Sequence, residues 1–171
     1  MVESQRRGEI VPLSEQEEAA WRALARAVSV IPRVIDADLV QAQGISGTEY
    51  IVLMNLSEAP EGCMRMSQLA NHVAISVSGL SRVVGRLERE GLVERSRSAD
   101  DGRGQVASIT PAGLRCLQAA WPVHLASVRR RVMDHLRGLD LTALAAALED
   151  IAEPGAAPPA RRRSRGPADG S

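Results

Sequence analysis

MSQLANHVAISVSGLSRVVGRLEREGLVERSRSADDGRG, residues 66–104, is the stretch that decides the fold. Ser67 is predicted to cap a short helix, and a brief turn at Ala74 and Ile75 separates it from a helix of about four turns that begins at Ser76. Gly91 follows the last turn, where a left-handed residue is favoured. Two helices joined by so short a connection indicate a helix-turn-helix.

A predicted β-hairpin follows the second helix. The runs LVERS (92–96) and QVASI (105–109) have the alternation that is typical of strands, and the charged, turn-rich segment RSADDGRG joins them. A hairpin directly after a helix-turn-helix is the arrangement of a winged helix. The predicted fold class is therefore mainly α: an α+β winged helix-turn-helix lobe flanked by long helices.

The helices before this lobe begin with a repeated capping motif. Ser14 and Glu17 form a capping box, and an amphipathic pattern continues to residue 42, interrupted but not ended by Pro32. Ser46 and Glu49 repeat the motif, and they open a short second helix that is predicted to end before SEAPEG.

Two further helices are predicted after the hairpin. Thr110 and Pro111 suit the N-cap and first position of a long helix, whose apolar stripe extends to Leu136 and which Pro122 is expected to kink. Asp140 is the N-cap candidate of a last helix. That helix is expected to bury four apolar side chains, Leu141, Leu144, Leu148 and Ile151.

The second helix of the helix-turn-helix has two unlike faces. At about 100° per residue, the aliphatic residues, including Val77, fall on one arc. Each interior glycine costs a helix about 1 kcal/mol relative to alanine, so small residues and arginines on the other arc indicate a docked polyanion. A solvated face that arises by chance is the alternative, and the helix-turn-helix context favours DNA. The outer arc holds Ser78, Gly79, Arg82, Gly85, Arg86 and Arg89.

The predicted DNA contacts follow from this placement. Ser78 and Arg82 are the candidates for base edges, because the start of such a helix enters the major groove and arginine pairs with guanine through two hydrogen bonds. Ser76, Ser81 and Arg86 suit phosphate oxygens. The full predicted set is Ser67, Gln68, Ser76, Ser78, Gly79, Ser81, Arg82, Arg86, Arg97, Asp101 and Arg103.

The wing segment combines acids and arginines. An aspartate near an arginine across a tight turn holds the guanidinium in one direction, which favours its entry into a narrow minor groove. A soluble turn with neutralised charges is the alternative, and the preceding helix favours the DNA contact.

Composition narrows the function classes. The 171 residues carry a formal net charge of zero, and all 21 basic residues are arginine. No apolar run reaches the roughly 18 residues of a membrane span, and the N-terminus lacks the apolar region of a signal peptide, so we expect a soluble, cytoplasmic protein. Cys63 and Cys116 have no CxxC spacing, and the three histidines fit no catalytic or metal-ligand pattern. An enzyme, a metal site and a cofactor are therefore not predicted.

Residues 66–113 resemble the multiple antibiotic resistance regulator (MarR) family of bacterial winged-helix transcription factors, above all in RLEREGLVERS, the Asp101-x-Arg103 pair and ITPAG. The resemblance implies a homodimer that presents two winged helices to a pseudo-palindromic operator in double-stranded DNA, usually as a repressor. It also implies that Arg103 enters the minor groove and that Asp101 orients it.

The likeness defines a domain map. A single MarR-like domain is expected at 14–152, with the winged helix-turn-helix lobe at 46–110 and dimerisation helices at 14–42 and 111–152. Residues 1–13 are expected to form a flexible N-terminus, and residues 153–171 a disordered tail rich in proline, glycine and arginine.

The resemblance further implies an effector. Many family members release DNA when a small aromatic or phenolic compound binds between the dimerisation and DNA-binding lobes. The first, second and fifth helices would line that crevice, with Trp21, Tyr50, Met54 and His124 as wall residues; ordinary core or surface positions are the alternative. A winged helix used for protein contact, as an anti-repressor or scaffold without specific DNA binding, is the competing function.

Overall fold

The computed structural model describes residues 11–97 and 104–152. The fold is mainly α-helical with one small antiparallel sheet, and the predicted winged helix is confirmed. The wing positions Asp101 and Arg103, and the predicted disordered tail, lie outside the described residues. In chain order the elements are α1 (Glu15–Gln43), α2 (Gly47–Glu58), a 3-10 turn (Pro60–Gly62), β1 (Cys63–Arg65), α3 (Met66–His72), α4 (Val77–Arg89), β2 (Val93–Arg97), β3 (Gln105–Ile109), α5 (Pro111–Arg131), a second 3-10 turn (Met133–His135) and α6 (Leu141–Ala152).

The predicted caps begin five of these helices. Ser14 and Ser46 each form a complete capping box, in which the serine accepts from the N3 amide and the N3 glutamate accepts from the cap amide. Ser76, Thr110 and Asp140 accept hydrogen bonds from amides in the first turns of α4, α5 and α6. The N-cap predictions for Ser14, Ser46, Thr110 and Asp140 are confirmed, and Ser76, predicted as the start of its helix, is the N-cap of α4.

The start of α3 differs from the prediction. Ser67 does not cap this helix, because the helix begins at Met66 with Arg65 in the N-cap position and no side-chain cap hydrogen bond. Arg65 is also the last residue of β1, so the strand continues directly into the helix. In the turn after α3, Ala74 has a φ of 56°, a left-handed conformation that is uncommon for a residue with a Cβ atom.

Strand β1 is not predicted from the sequence. It completes a three-stranded antiparallel sheet in the order β1-β3-β2 and places Cys63 opposite Ser108. The predicted hairpin is confirmed, with Val93 opposite Ile109. A three-residue strand is too short to show an alternating pattern, and its partner lies far along the chain.

Two apolar clusters hold these elements together. The larger cluster joins α2, α3, α4 and the sheet, and its fully buried side chains include Leu53, Leu56, Leu69, Leu80, Val84 and Leu87. The smaller cluster joins α1, α2 and α5 through Leu39, Ile45, Tyr50 and Ala120. Since both clusters contain α2, this helix connects the helix-turn-helix lobe to the long helices.

Several helix ends and faces differ from the prediction. α2 continues into SEAPEG as far as Glu58. α5 runs through Pro122 but ends at Arg131, because Val132 leaves the helical region (φ −129°, ψ −66°), so Leu136 does not extend its stripe. Within the described part of the chain, residues 136–152 belong to a separate unit. The expectation that α6 buries its stripe is wrong for the single chain, where no α6 residue is buried. None of the helices in the described part of the chain is long and apolar enough to cross a membrane.

Candidate nucleic-acid interface

Helix α4 buries its predicted aliphatic arc and exposes the opposite one. Leu80, Val84 and Leu87 are completely buried in the larger cluster. Val77 belongs to the same arc by periodicity, but it is 54% exposed because the first turn extends beyond the cluster. On the opposite arc the polar side chains of Ser78, Arg82, Arg86 and Arg89 reach the surface.

The start of α4 presents two hydroxyl groups at the surface. Ser76 Oγ accepts a hydrogen bond from the Gly79 amide at 3.1 Å, and it lies 3.1 Å from Ser78 Oγ. A Cβ atom on Gly79 would lie 3.2 Å from Ser76 Oγ, so glycine leaves this first turn open beside the cap. Because the amides of a first turn attract anions, these hydroxyls lie where a phosphate oxygen is favoured.

Arg82 is the free cation of this surface. Its side chain is exposed, and within residues 11–97 and 104–152 it forms no hydrogen bond or ion pair. A guanidinium with unused donors can make the paired hydrogen bonds that recognise guanine O6 and N7. The position of Arg82, one turn into the helix, agrees with its predicted role in base contact.

Ser81 is already engaged by an arginine of the wing. Arg95, on β2, donates from Nη1 to Ser81 Oγ at 3.3 Å and from Nη2 to the Ser81 carbonyl oxygen at 3.1 Å. Its Nε lies 3.0 Å from a carboxylate oxygen of Glu88, as an ion pair without the in-line geometry of a hydrogen bond. Arg95 therefore connects β2 to the middle of α4.

Gly85 is the position that Arg95 crosses. A Cβ atom there would lie 2.8 Å from Arg95 Nη2, closer than such atoms approach one another. A glycine here costs the helix about 1 kcal/mol relative to alanine. The contact with Arg95 explains its presence without a DNA contact. The sequence alone did not supply a contact for Gly85.

Arg86 is held by acceptors within the chain. Its Nε donates to Glu90 at 3.1 Å and lies 3.1 Å from Oε1 of Glu49, a carboxylate that is only 3% exposed. Its Nη2 also donates to the carbonyl oxygen of Gly44 at 3.3 Å. The hydrogen bond to Glu90 and the charge of Glu49 raise the pKa of Arg86 further above its ordinary value. Arg86 thus ties α4 to the junction between α1 and α2.

A cavity of about 480 Å³ lies beside that junction, between α1, α2 and α5. Tyr50 of α2 and His124 of α5 stack on each other in its wall, with ring centroids 4.4 Å apart and ring planes inclined by 23°. The rest of its wall comes mainly from α1 and the start of α2, with apolar side chains Ile31, Pro32, Ile35, Leu39 and Ile51 beside Arg33, Asp36, Gly47 and Thr48.

Burial leaves polar atoms of this stacked pair without partners. The hydroxyl of Tyr50 and Nδ1 of His124 are buried and have no hydrogen-bond partner among the described residues. Burial, followed by the charge of Glu58, raises the pKa of Tyr50. Burial lowers the pKa of His124, so the imidazole is neutral at neutral pH.

A second cavity, of about 290 Å³, lies on the other side of Tyr50 between α2 and α5. Met54 and Trp121 contribute to its wall, and Trp121 also lies tilted against His124 with ring centroids 6.4 Å apart. Trp21 lines neither of these two cavities and is 61% exposed. Of the four predicted wall residues, Tyr50, Met54 and His124 are thus brought to cavities and Trp21 is not.

Comparison with known proteins assigns the chain to a family. A model described as MarR family matches residues 43–104. The crystal structure of AbsC, a MarR family transcriptional regulator from Streptomyces coelicolor, is 37% identical in sequence with a TM-score of 0.76, over 84% of this chain and 96% of AbsC. The chain belongs to the MarR family.

Two further MarR comparisons show how far the likeness extends. Sco3205, a MarR family regulator from Streptomyces coelicolor solved in complex with DNA, is 31% identical with a TM-score of 0.78, over 84% of this chain and 96% of Sco3205. The HTH-type transcriptional regulator PrsX of Escherichia coli is 28% identical over 82 residues, which are 48% of this chain and 49% of PrsX. The chain therefore spans about half the length of this curated relative.

The predicted contact residues fall into four groups. Ser67 and Gln68 on α3, and Arg97 at the end of β2, are exposed. Ser76, Ser78, Gly79 and Arg82 form the open start of α4, whereas Ser81 and Arg86 are engaged by other parts of the chain. Asp101 and Arg103 lie outside the described residues.

Three residues of this MarR chain were missed as site residues. Glu49 was identified as a cap, but its second contact, with Arg86, joins helices that are distant in sequence. Arg95 was not among the predicted contacts. Trp121 was assigned to an apolar stripe, although its spacing of three residues from His124 places both rings on one face of α5. The spacing of Trp121 and His124 could have been recognised in the sequence, whereas no sequence pattern indicates the contacts of Glu49 and Arg95.

Proposed function

We infer that this MarR-family protein is a sequence-specific DNA-binding transcriptional regulator, that it acts as a repressor, and that it binds a pseudo-palindromic operator as a homodimer. The observation that carries this inference is the open start of α4, where Arg82 and the hydroxyl of Ser78 are exposed and Arg82 has no partner among the described residues. Helix-turn-helix proteins read base edges with this part of the second helix. The DNA complex of Sco3205 supports the same use of the fold.

Exposed apolar side chains support the homodimer. Trp21 and Val28 on α1, and Leu148 and Ile151 on α6, are each more than 40% exposed in the single chain. Large apolar side chains left uncovered in several helices are characteristic of an association surface. A twofold dimer would present its two recognition helices about 34 Å apart, one turn of DNA. Sedimentation equilibrium should give twice the chain mass of 18.3 kDa.

The wing is proposed to contact the flanking minor groove. Arg97 is exposed at the end of β2, and Arg103, with Asp101 orienting it, is proposed as the arginine that enters the groove. A narrow minor groove attracts an arginine without reading a specific base. Ser67, Gln68 and the hydroxyl of Ser76 would hold phosphates beside the major groove.

The larger cavity is proposed to bind a small aromatic or phenolic effector that releases the operator. Its volume of about 480 Å³ lies within the range of pockets for small molecules. The Tyr50 hydroxyl and His124 Nδ1 would pair with the polar group of the ligand, and the Ile31 and Ile35 side chains would cover its ring. Met54, in the second cavity, would line a neighbouring site.

Selection of bound duplexes from a random DNA pool tests the proposal. We expect a two-fold symmetric consensus, and an affinity for that duplex which falls steeply with salt because phosphate contacts release counterions. A protein-interaction module would enrich no sequence and would still require the flanking helices for its function. Failure to enrich any consensus would therefore overturn the proposed function.

A further inference from the structure

We propose that Arg95 is a positioning residue for DNA binding, which fixes the wing at one angle to the recognition helix α4. In this proposal Gly85 leaves the space on α4 that the Arg95 guanidinium occupies. This inference rests on the proposed function, because it assumes that α4 and the wing bind DNA together. It assigns a role to two residues that the predicted contact set does not include.

The contacts of Arg95 span two elements. All three guanidinium nitrogens face acceptors on α4: Nη1 and Nη2 face the hydroxyl and carbonyl oxygens of Ser81, and Nε faces the carboxylate of Glu88. Planar guanidinium groups hold such forked contacts in one orientation, which an ammonium group does not. The strand that leads into the wing is thereby held to the middle of the recognition helix.

Gly85 leaves space on α4 for the Arg95 side chain. Gly85 lies one turn after Ser81, between the two residues that Arg95 contacts, and a Cβ atom there would lie 2.8 Å from Arg95 Nη2. The atom in conflict, Arg95 Nη2, donates one hydrogen bond, to the Ser81 carbonyl oxygen, while Nη1 donates to the Ser81 hydroxyl, so a shift of the guanidinium would disturb both contacts. A glycine at this position therefore leaves room for the Arg95 guanidinium at its acceptors, whereas an alanine would force the end of that side chain to shift.

The burial of Arg95 argues against a direct DNA contact. Its side chain is 19% exposed, whereas Arg97, two residues further along β2, is exposed. An arginine that binds phosphate needs free donors at the surface. Arg95 instead sets the direction of the strand that carries Arg97, so its effect on DNA passes through the wing.

The first test is a double-mutant cycle between Gly85 and Arg95. The affinity of the selected operator duplex is measured for the parent, Gly85→Ala, Arg95→Ala and the double variant. We expect each single change to weaken binding about tenfold, and the second change to add little once the first is present, because both remove one interaction. Gly85→Ala changes no charge, so an effect that passes only through net charge would leave its affinity at the parent value.

The second test locates the loss on the DNA. Hydroxyl-radical cleavage reports the minor groove, and methylation of guanine N7 reports the major groove. For Arg95→Ala we expect protection of the flanking minor groove to be lost while protection of the major groove persists. A purely structural role for Arg95 would weaken both protections together. Arg95→Lys keeps the charge but not the forked contacts, and it should resemble Arg95→Ala.

These outcomes separate the inference from the function on which it rests. If the parent protein binds no DNA, the proposed function and the positioning role of Arg95 are both wrong. If the parent binds and the Gly85 and Arg95 effects add independently, or the minor-groove protection survives in Arg95→Ala, the positioning role is wrong and the proposed function stands. Thermal unfolding checks the fold of each variant, and Gly85→Ala keeps the test decisive if Arg95→Ala does not fold.

Discussion

The two halves of helix α4 share one outward arc in the sequence but differ in what their polar groups do. In the first half, the hydroxyls of Ser76 and Ser78 lie at the surface and Arg82 has no partner among the described residues. In the second half, Arg86 is bound by Glu49, and Gly85 is covered by Arg95. Helical periodicity identifies which side chains face outward, and the tertiary contacts decide which of them remain available to a ligand.

Arg82→Ala should have the largest effect on DNA binding. A bidentate arginine contact with guanine contributes about 1–3 kcal/mol of discrimination, so we expect the affinity for the selected operator to fall by roughly ten- to a hundredfold. Because Arg82 is exposed and unpaired in the described chain, its thermal unfolding should match that of the parent. Fluorescence anisotropy and calorimetry measure the two quantities.

The matched control is Arg26→Ala, which removes the same charge from an exposed arginine on α1. Equal losses of affinity in the two variants would mean that net charge, and not a contact of Arg82, determines binding. A loss confined to Arg82→Ala with a relaxed preference at one base pair of each half-site would identify the base that it reads.

Glu49→Gln tests the second half of α4, where Arg86 is bound within the chain. Glutamine still accepts from the Ser46 amide in a capping box, but it removes the charge that faces Arg86 at 3.1 Å. We expect the melting temperature to fall by about 4 °C, with a loss of operator affinity smaller than that of Arg82→Ala. Circular dichroism at increasing temperature provides the measurement.

Arg86→Ala distinguishes the two interpretations of that arginine. A tie between α4 and the α1–α2 junction predicts a lower melting temperature and an unchanged dependence of affinity on salt. A phosphate contact, as the sequence alone suggests, predicts instead that the slope of log affinity against log salt falls by about one while stability is kept. The second result would show that the two halves of α4 are alike in function.

The same contrast explains how much of the molecule is predictable from the sequence. Caps, apolar periodicity and turn residues act over a few positions, so the five capped helices and the β2–β3 hairpin could be predicted. Strand β1 could not, because its three residues become a strand only when paired with β3. The start of α4 was identified by local pattern, whereas the partners of Arg86 and Gly85, Glu49 and Arg95, come from other elements and leave no trace at those positions.

Acidification should destabilise the α1–α2–α5 region, on the side of α2 that faces the larger cavity. Burial lowers the pKa of His124 in the folded chain below its unfolded value of about 6.5. The unfolded state then binds more protons below about pH 6.5, so stability should fall as the pH drops from there towards the folded pKa. Above that window this group should contribute no pH dependence.

Chemical unfolding of the parent and His124→Gln across that pH range measures the effect. The variant should lose the part of the pH dependence that His124 contributes, while other groups keep theirs. Identical pH profiles for the two proteins would contradict a buried neutral imidazole stacked on Tyr50.

The smallest expected effect concerns the turn before α4. Ala74 adopts a left-handed conformation with a φ of 56°, which costs a residue with a Cβ atom roughly 1 kcal/mol or more. Ala74→Gly removes this strain but frees the unfolded chain, so we expect a net stabilisation below about 1 kcal/mol, measured by denaturant unfolding. Operator affinity should not change, because Ser76 and the start of α4 keep their cap. Weaker binding by this stabilised variant would mean that the strained turn itself aims the open half of the helix.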